Sequence, residues 1–562
     1  MIKAGYICLL VIIHAAGTGL QAQDTASDLR EQVRLYGQAE VTIPYPGKIG
    51  AGILTRQVSI TSYRNGSLYI SLSRKTVDWF LSQKYIYSII PHTAIKGGYS
   101  ASSVAEAMQW HSYPTYRQYD SIMRKFAGTY PDFCRLDTIG TTVDGRLLLA
   151  LKISDNVNAD EDKPQVFYSS SIHGDEIGGY VLMLRLADYL LNNHETDSLA
   201  KRLVSNLEIW INPLANPDGT YTSGNTVDYA ERYNAHGEDL NRNFPDPLQQ
   251  YSPEKETVEM VSFMKKHRFV ISANFHAGSE VVNYPWDRWE RLHADDAWFN
   301  HISRAYADTV HKYSPPDYLS FLYDGITNGY YWYQVFGGRQ DYMTYERQGR
   351  EVTIELDYTK MTPPSQLDSL WKYNWRSLME YLGNAMYGVH GKVMDETTAR
   401  PLKARVFIRN HDQDSSMVYS DSLTGSFTRL LMNGSWDITF SAKGYRDTTV
   451  TAVNVGEHKA VYLNVLLRSQ TMNFDSLRPY IWPNPAVSKV SCYLPSSLHG
   501  QINVSIFSMA GKKEADFNTV YTPGTPFEID LSRLSAGNYY IVFRNLTTGL
   551  RRAGKIVVLG YR

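Results

Sequence analysis

The chain has 562 residues and a formal net charge of −1, a length that divides into three or four domains rather than one. Near-neutral charge does not point to nucleic acid or an anionic membrane surface as the main partner, and an apolar fraction of 43% with 42 tyrosines describes folded globular protein with no long disordered tract. The three cysteines are Cys8, Cys134 and Cys492; they exclude a disulfide framework and a cysteine-bound structural zinc, so any metal must sit on histidine and carboxylate groups.

The chain opens as a targeting segment. Lys3 gives a positive start, Ile7 to Ala16 an apolar core, and Leu20-Gln21-Ala22 a cleavage site before Gln23, so residues 1–22 read as a signal peptide. That run is too short to span a bilayer and no later stretch reaches the length needed. The expectation is a secreted protein without a transmembrane helix. Residues 23–105 read as an N-terminal accessory unit: VSITSYRNGSLYISLS is two alternating strands around Asn65-Gly66, a hairpin signal, and TVDWFLSQ is a short helix. Its role is either a structural cap on the next domain or a folding-assistant or masking pro-segment.

From 106 to 387 strands alternate with longer helices. PQVFYSSS, NLEIWINP, FVISANFH and EVTIELDY read as buried strands, and EIGGYVLMLRLADYLLNN as a helix with apolar Ile177, Val181, Leu184 and Leu191. This is an α/β domain with helices on both faces of its sheet, which carries ligands in the crevice beyond the strand ends. Residues 388–470 are short strands with turn signals, a seven-strand sandwich. After a linker at 471–481, a second all-β module runs to 562.

The chemistry gathers at strand ends. His173 follows strand PQVFYSSS, with Glu176 three residues on at the opening of the next helix, and His276 closes strand FVISANFH. Residues about a hundred positions apart meet when their strands end on one edge of a sheet. Two histidines and one carboxylate leave a fourth position open, the arrangement of a catalytic zinc site. The bland alternatives are a packed histidine and a glutamate suited to a helix N-terminus.

His173-x-x-Glu176, DLNRNFPD (239–246), FHAGSEVVNYPWD (275–287), YWYQVFGGRQDY (331–342) and VTIELDYTKMTPP (352–364) resemble, in order and spacing, the zinc metallocarboxypeptidases, and most closely the carboxypeptidase N/E/D group that removes C-terminal Lys and Arg. The resemblance implies a carboxypeptidase-like α/β domain with a mixed eight-stranded sheet. It implies one Zn2+ per chain on His173, Glu176 and His276, with Glu355 as general base and Arg232 polarising the scissile carbonyl. It also implies that Asn241, Arg242 and Tyr333 hold the substrate's free carboxylate, Arg242 by its two-point fork. Asp287, with Gln340 lining the same pocket, would select basic C-terminal residues, because an apolar side chain would leave that carboxylate unpaired. Four departures stand out: Glu231 where the family more often has glycine before the arginine, GDE for GNE at Asp175, HAGS for HGGS, and LDYTK in place of an LSC-type ending. Ala277 and Asp357 are expected to reshape the pocket.

The 388–470 module resembles the transthyretin-like domain that follows the catalytic domain in this group, which implies a packing and stabilising role. Residues 471–562 resemble the C-terminal sorting domain of type IX secretion, through PNP (483–485), the MAGK turn, LSAGNYY and the final KIVVL. That implies outer-membrane secretion machinery as a partner and a secreted or bacterial cell-surface location. The function expected is release of Lys or Arg from peptide or protein C-termini. The alternatives are a same-fold zinc amidohydrolase acting on murein peptides or small acylated amino acids, and a catalytically inactive surface binding protein.

Overall fold

The computed structural model describes residues 26–91, 97–159, 161–248, 252–470 and 478–559. The signal-peptide expectation and most of the 471–481 linker lie outside these residues. Among the described residues no helix is long and apolar enough to cross a membrane.

The N-terminal unit is an antiparallel sheet of β1 (Gln38–Pro44), β2 (Ser59–Arg64), β3 (Ser67–Ser73) and β4 (Ser88–Ile90), ordered β2-β3-β1-β4. Helices at 26–36, Gly47–Leu54 and Val77–Ser82 accompany it. Asn65 and Gly66, both at positive φ, make the two-residue turn between β2 and β3. Leu29, Val41, Leu54, Ile60, Ile70 and Phe80 are buried in its own core. In the β2–β3 ladder Ile60 faces Ile70 and Ser62 faces Tyr69, so Thr61 is an extra residue, a β-bulge. Ala101, Ala107 and Trp110 belong instead to the core of the following α/β domain; the strands of the accessory unit end at Ile90, short of the expected 105, because Tyr99 already stacks on Tyr113 and pairs with its backbone.

The α/β domain carries eight strands: β5 (Cys134–Thr141), β6 (Leu147–Ile153), β7 (Gln165–Ser170), β8 (Glu208–Asn212), β9 (Phe269–His276), β10 (Ser279–Tyr284), β11 (Ile326–Asn328) and β12 (Arg350–Asp357). They form one mixed sheet in the order β11-β10-β12-β9-β7-β8-β6-β5, with β12, β9, β7 and β8 parallel at its centre. The alternation of side chains fixes both layers. Val166, Tyr168, Ile209 and Ile211 enter the core shared with helices Gly178–Asn193, Asp296–His311 and Leu367–Gly383. Phe167 and Trp210 point the other way, into a second core with helices Lys255–Lys266 and Arg339–Arg347. With apolar cover on both faces the strands read as unbroken hydrophobic runs, and truncating a ring such as Phe167 to alanine costs about 3–5 kcal/mol.

Seven strands between Gly388 and Leu467 form facing sheets of three and four. This sandwich joins the α/β domain through buried ions. Asp295 takes Arg350 Nη2 of β12 at 2.6 Å, Arg429 Nη1 of the sandwich at 2.6 Å and His411 Nε2 at 2.9 Å, while Arg429 Nη2 reaches Asp412 at 2.6 Å. Two guanidinium groups already neutralise the Asp295–His411–Asp412 cluster, so it is no cation site. The C-terminal module has a core of its own, built on Val490, Cys492, Ile502, Val504, Ile541, Phe543 and Ile556, with sheets of three and four strands.

Candidate active site

The parallel strands β7, β9 and β12 end on one edge of the sheet. His276 is the last residue of β9 and pairs in register with Glu355 of β12; His173 lies three residues beyond the end of β7. Glu176 does not open the helix as its spacing implies. The helix begins at Gly178, and Glu176 sits in the turn before it, its carboxylate drawn back toward the two histidines. Glu176 Oε2 stands 2.9 Å from His173 Nδ1 and 2.7 Å from His276 Nδ1, and the two Nδ1 atoms are 3.1 Å apart.

The surroundings prepare those atoms as donors. Asp239 Oδ1 takes His173 Nε2 at 3.1 Å, which fixes the tautomer that leaves the Nδ1 lone pair on the cluster. Burial opposes charge on Asp239, but Arg232 and His173 outweigh it and hold the carboxyl well below its ordinary range. His276 Nε2 lies 2.8 Å from the Asn274 amide nitrogen, and burial pulls its imidazole down to about 4. Burial likewise opposes charge on Glu176, and the two imidazoles together keep it ionised. Two imidazole nitrogens and a carboxylate aimed at one point are a donor set that fits zinc; tetrahedral bonds of about 2.0–2.1 Å place donors about 3.3 Å apart, a few tenths wider than these.

Glu355 is buried with its carboxyl well above the usual range, through burial first and the neighbouring Glu176 charge second. Arg232, 2% exposed, holds Asp239 through Nε (3.1 Å) and Nη2 (2.9 Å) and reaches Glu176 Oε1 through Nη1 at 3.1 Å. Its charge is beside the donor cluster, with each of these N–H groups turned inward.

Asn241 and Arg242 lie on a 3-10 turn that Asp239 caps through Asn241 N. Asn241 Oδ1 receives Arg339 N at 2.9 Å, and Arg242 Nη2 donates to Ile60 O at 2.8 Å. The Tyr333 hydroxyl makes a long 3.4 Å bond to Thr61 O. Asp287 is buried; its Oδ1 accepts Asn283 Nδ2 and Gln340 Nε2, each at 3.0 Å, and a Cβ on Gly329 would overlap it. Burial first, then the Asp341 charge, raises the Asp287 carboxyl. Asp357 accepts from Thr359 N and Thr362 Oγ1, and Ala277 N approaches Glu176 Oε2 at 3.3 Å.

Sequence reasoning missed Asp239, Asn274 and the Arg339–Glu351 pair. Asp239 stood inside a quoted motif, immediately before Leu-Asn-Arg. Arg339 Nη1 reaches Asn274 Oδ1 and Nη2 reaches Glu351 Oε2, both at 3.1 Å, a link between distant strands that no local pattern signals.

The sheet and the histidine–carboxylate cluster at its edge define a zinc carboxypeptidase fold, and residues 119–377 match the zinc carboxypeptidase family. The chain belongs to that family. It is 37% identical to human carboxypeptidase D over 373 residues, which is 62% of this chain and 26% of that protein. Against the rat carboxypeptidase N catalytic chain it is 31% identical over 405 residues, 63% of this chain and 86% of that one. The chain thus spans about a quarter of the length of carboxypeptidase D. The crystal structure of thrombin activatable fibrinolysis inhibitor superposes with a TM-score of 0.49 at 16% identity, over 62% of this chain and 98% of that one. Residues 480–558 match the secretion system C-terminal sorting domain.

Proposed function

We propose that the protein is a zinc-dependent carboxypeptidase that releases Lys or Arg from peptide C-termini. The observation that carries this reading is the convergence of His173, Glu176 and His276 beside Glu355. His173, Glu176 and His276 would hold a zinc ion, which would supply a Lewis acid and a water with its pKa lowered to about 7. Glu355 takes the proton of the attacking water and passes it to the leaving amine. Arg232 supplies positive charge for the developing oxyanion, which requires Nη1 to turn from Glu176 to the substrate; one such donor is worth about 10²–10³ in rate.

Arg242, Asn241 and Tyr333 bind the free carboxylate. Asp287 meets the basic side chain with Oδ2, since the Asn283 and Gln340 amides already donate to Oδ1. This clamp and pocket favour peptides over murein fragments or acylated amino acids, and retention of Glu355 weighs against an inactive binding protein. The sorting tail makes the chain cargo of type IX secretion machinery, carried to the cell surface or beyond. The test is hydrolysis of peptides differing only in the last residue by zinc-loaded protein. Arg and Lys ends should be released faster than Phe, a chelator should stop the reaction and zinc restore it. Metal-replete protein that releases none of them would overturn the reading.

A further inference from the structure

The segment from Leu319 to Gly325 is a loop whose two ends touch. A Cβ on residue 325 would fall 2.1 Å from Leu319 O, so the neck closes only because that residue is glycine, at φ +88°. Inside the loop Leu322, Tyr323 and Asp324 stand at φ +46°, +42° and +59°. L-residues hold three successive positive φ angles only where their surroundings impose them. Arg304 imposes part of this conformation, with Nη1 donating to Asp324 O at 2.6 Å and Nη2 to Tyr323 O at 2.5 Å.

The neck is pinned from two sides. Leu319, itself at φ +56° and fully buried, donates its N–H to Glu280 Oε2 at 3.1 Å, and its carbonyl accepts His311 Nε2 at 2.9 Å. Glu280 stands in β10, a strand buried throughout, where a carboxyl costs free energy unless it is used. The proposed chemistry uses neither Glu280 nor His311. What leaves the neck leads to the site. Ile326 pairs with Val282, two residues beyond Glu280 on β10, and β11 runs on to Asn328. Next comes Gly329, where a Cβ would lie 1.8 Å from Asp287 Oδ1. The turn Gly329–Trp332 then delivers Tyr333, whose N–H returns to Gly329 O at 3.0 Å. A second route runs through rings: Phe321 of the loop lies edge-on to Trp332 with centroids 6.3 Å apart, and Trp332 meets Tyr333 at 4.6 Å. The loop therefore meets the segment Ile326–Tyr333 at both of its ends.

We propose that Glu280 and His311 are positioning residues: by pinning Leu319 they hold this loop closed and fix the segment Ile326–Tyr333. Two parts of the site depend on that segment, the Gly329 wall of the Asp287 pocket and the Tyr333 hydroxyl. The proposal rests on the assignment of Asp287 and Tyr333 to substrate binding. Both act on the bound peptide and not on the attacking water, so a loosened neck weakens binding and spares turnover.

The test is steady-state hydrolysis of a peptide ending in Arg by the full zinc-loaded chain and three variants. Glu280→Met keeps the volume and removes the acceptor. His311→Leu removes the donor to the Leu319 carbonyl at a half-buried helix end. Glu280→Gln keeps an acceptor for Leu319 N and serves as the rescue. The first two should each raise KM by about three- to tenfold, the range one buried hydrogen bond carries, with kcat within about twofold, while Glu280→Gln stays within about twofold of the parent in both. Chymotrypsin cleavage after Tyr323, 77% exposed, should quicken in the first two and not in the third. A merely structural role would lower the active fraction and so kcat while KM stayed in place, and that result would overturn the proposal. KM unmoved in both variants, or raised as much by Glu280→Gln as by Glu280→Met, would overturn it too. Should Glu280→Met not fold, His311→Leu decides by the same split of KM from kcat. A metal-replete parent without turnover on any peptide sinks the carboxypeptidase reading and this proposal with it; an active parent whose variants keep its KM sinks the proposal alone.

Discussion

Glu231→Gln tests the docking of the N-terminal unit through a single proton. The side chain lies under Gly37, and burial raises its carboxyl from 4.5 to about 7; Arg74 at 3.7 Å opposes that rise without reversing it, and Asp175 adds to it. A carboxyl that is harder to ionise in the folded state than in the unfolded one weakens folding as pH rises. The cost is absent below about pH 4.5, grows between 4.5 and 7, and is complete above 7. The gap between 4.5 and about 7, at about 1.4 kcal/mol per pH unit, sets it at about 3 kcal/mol. Glutamine has the same shape and no charge to desolvate. The variant should therefore match the parent at pH 4 and exceed it by up to about 3 kcal/mol at pH 8, read from urea unfolding of the full chain at a series of pH values. A stability difference that does not change with pH, or a variant that is weaker at pH 8, would refute the account of Glu231 as a buried, ionisable docking group.

Glu355→Gln should retain stoichiometric zinc by elemental analysis while losing hydrolysis by at least about 10²-fold, in the range general acid–base catalysis contributes; full activity would remove Glu355 from the mechanism. Asp287→Ala should lower kcat/KM for Arg and Lys ends by about 10²–10³-fold, matching the 3–5 kcal/mol attached to breaking a buried charge pair, and leave Phe ends far less affected; equal loss on both would refute the pocket. Arg339→Met strands Glu351, which keeps only the Ser272 hydroxyl at 2.7 Å, and should cost about 3–5 kcal/mol in urea unfolding; because Arg339 Nη1 also holds Asn274, whose amide stands beside His276, zinc affinity should weaken with it.

The α/β fold was legible because burial on both faces writes strands as apolar runs and because helix Gly178–Asn193 carries its periodic Val181, Leu184 and Leu191. The hairpin at Asn65-Gly66 was legible from turn chemistry alone. The metal cluster was legible only as a set: His173, Glu176 and His276 are ordinary singly, and what joins them is the parallel pairing of β7 with β9, which no local pattern records. The residues behind the ligands were hidden for the same reason. Arg339 reads as a surface charge beside two glycines, and only the packing of its helix on β9 and β12 turns it into the buried partner of Glu351 and Asn274. The contacts of Ser59, Ile60 and Thr61 with Asp239, Arg242 and Tyr333 were invisible because two of the three are made by backbone carbonyls, which carry no residue identity.

The ion cluster at Asp295 has a consequence for how the two folds can be separated. Its carboxylate serves Arg350 from one fold and Arg429 from another, so one buried charge is shared across the seam, while Asp295–Arg350 and Arg429–Asp412 are each a pair within one fold. A fragment that ends with the family match at residue 377 would leave Asp295 and Arg350 facing water where they were built to face protein, and a sandwich transplanted elsewhere would carry Arg429 without that counter-ion. Parting the two folds would move one ion pair of each, Asp295–Arg350 and Arg429–Asp412, from protein into water, where such a pair contributes about 0–1 kcal/mol.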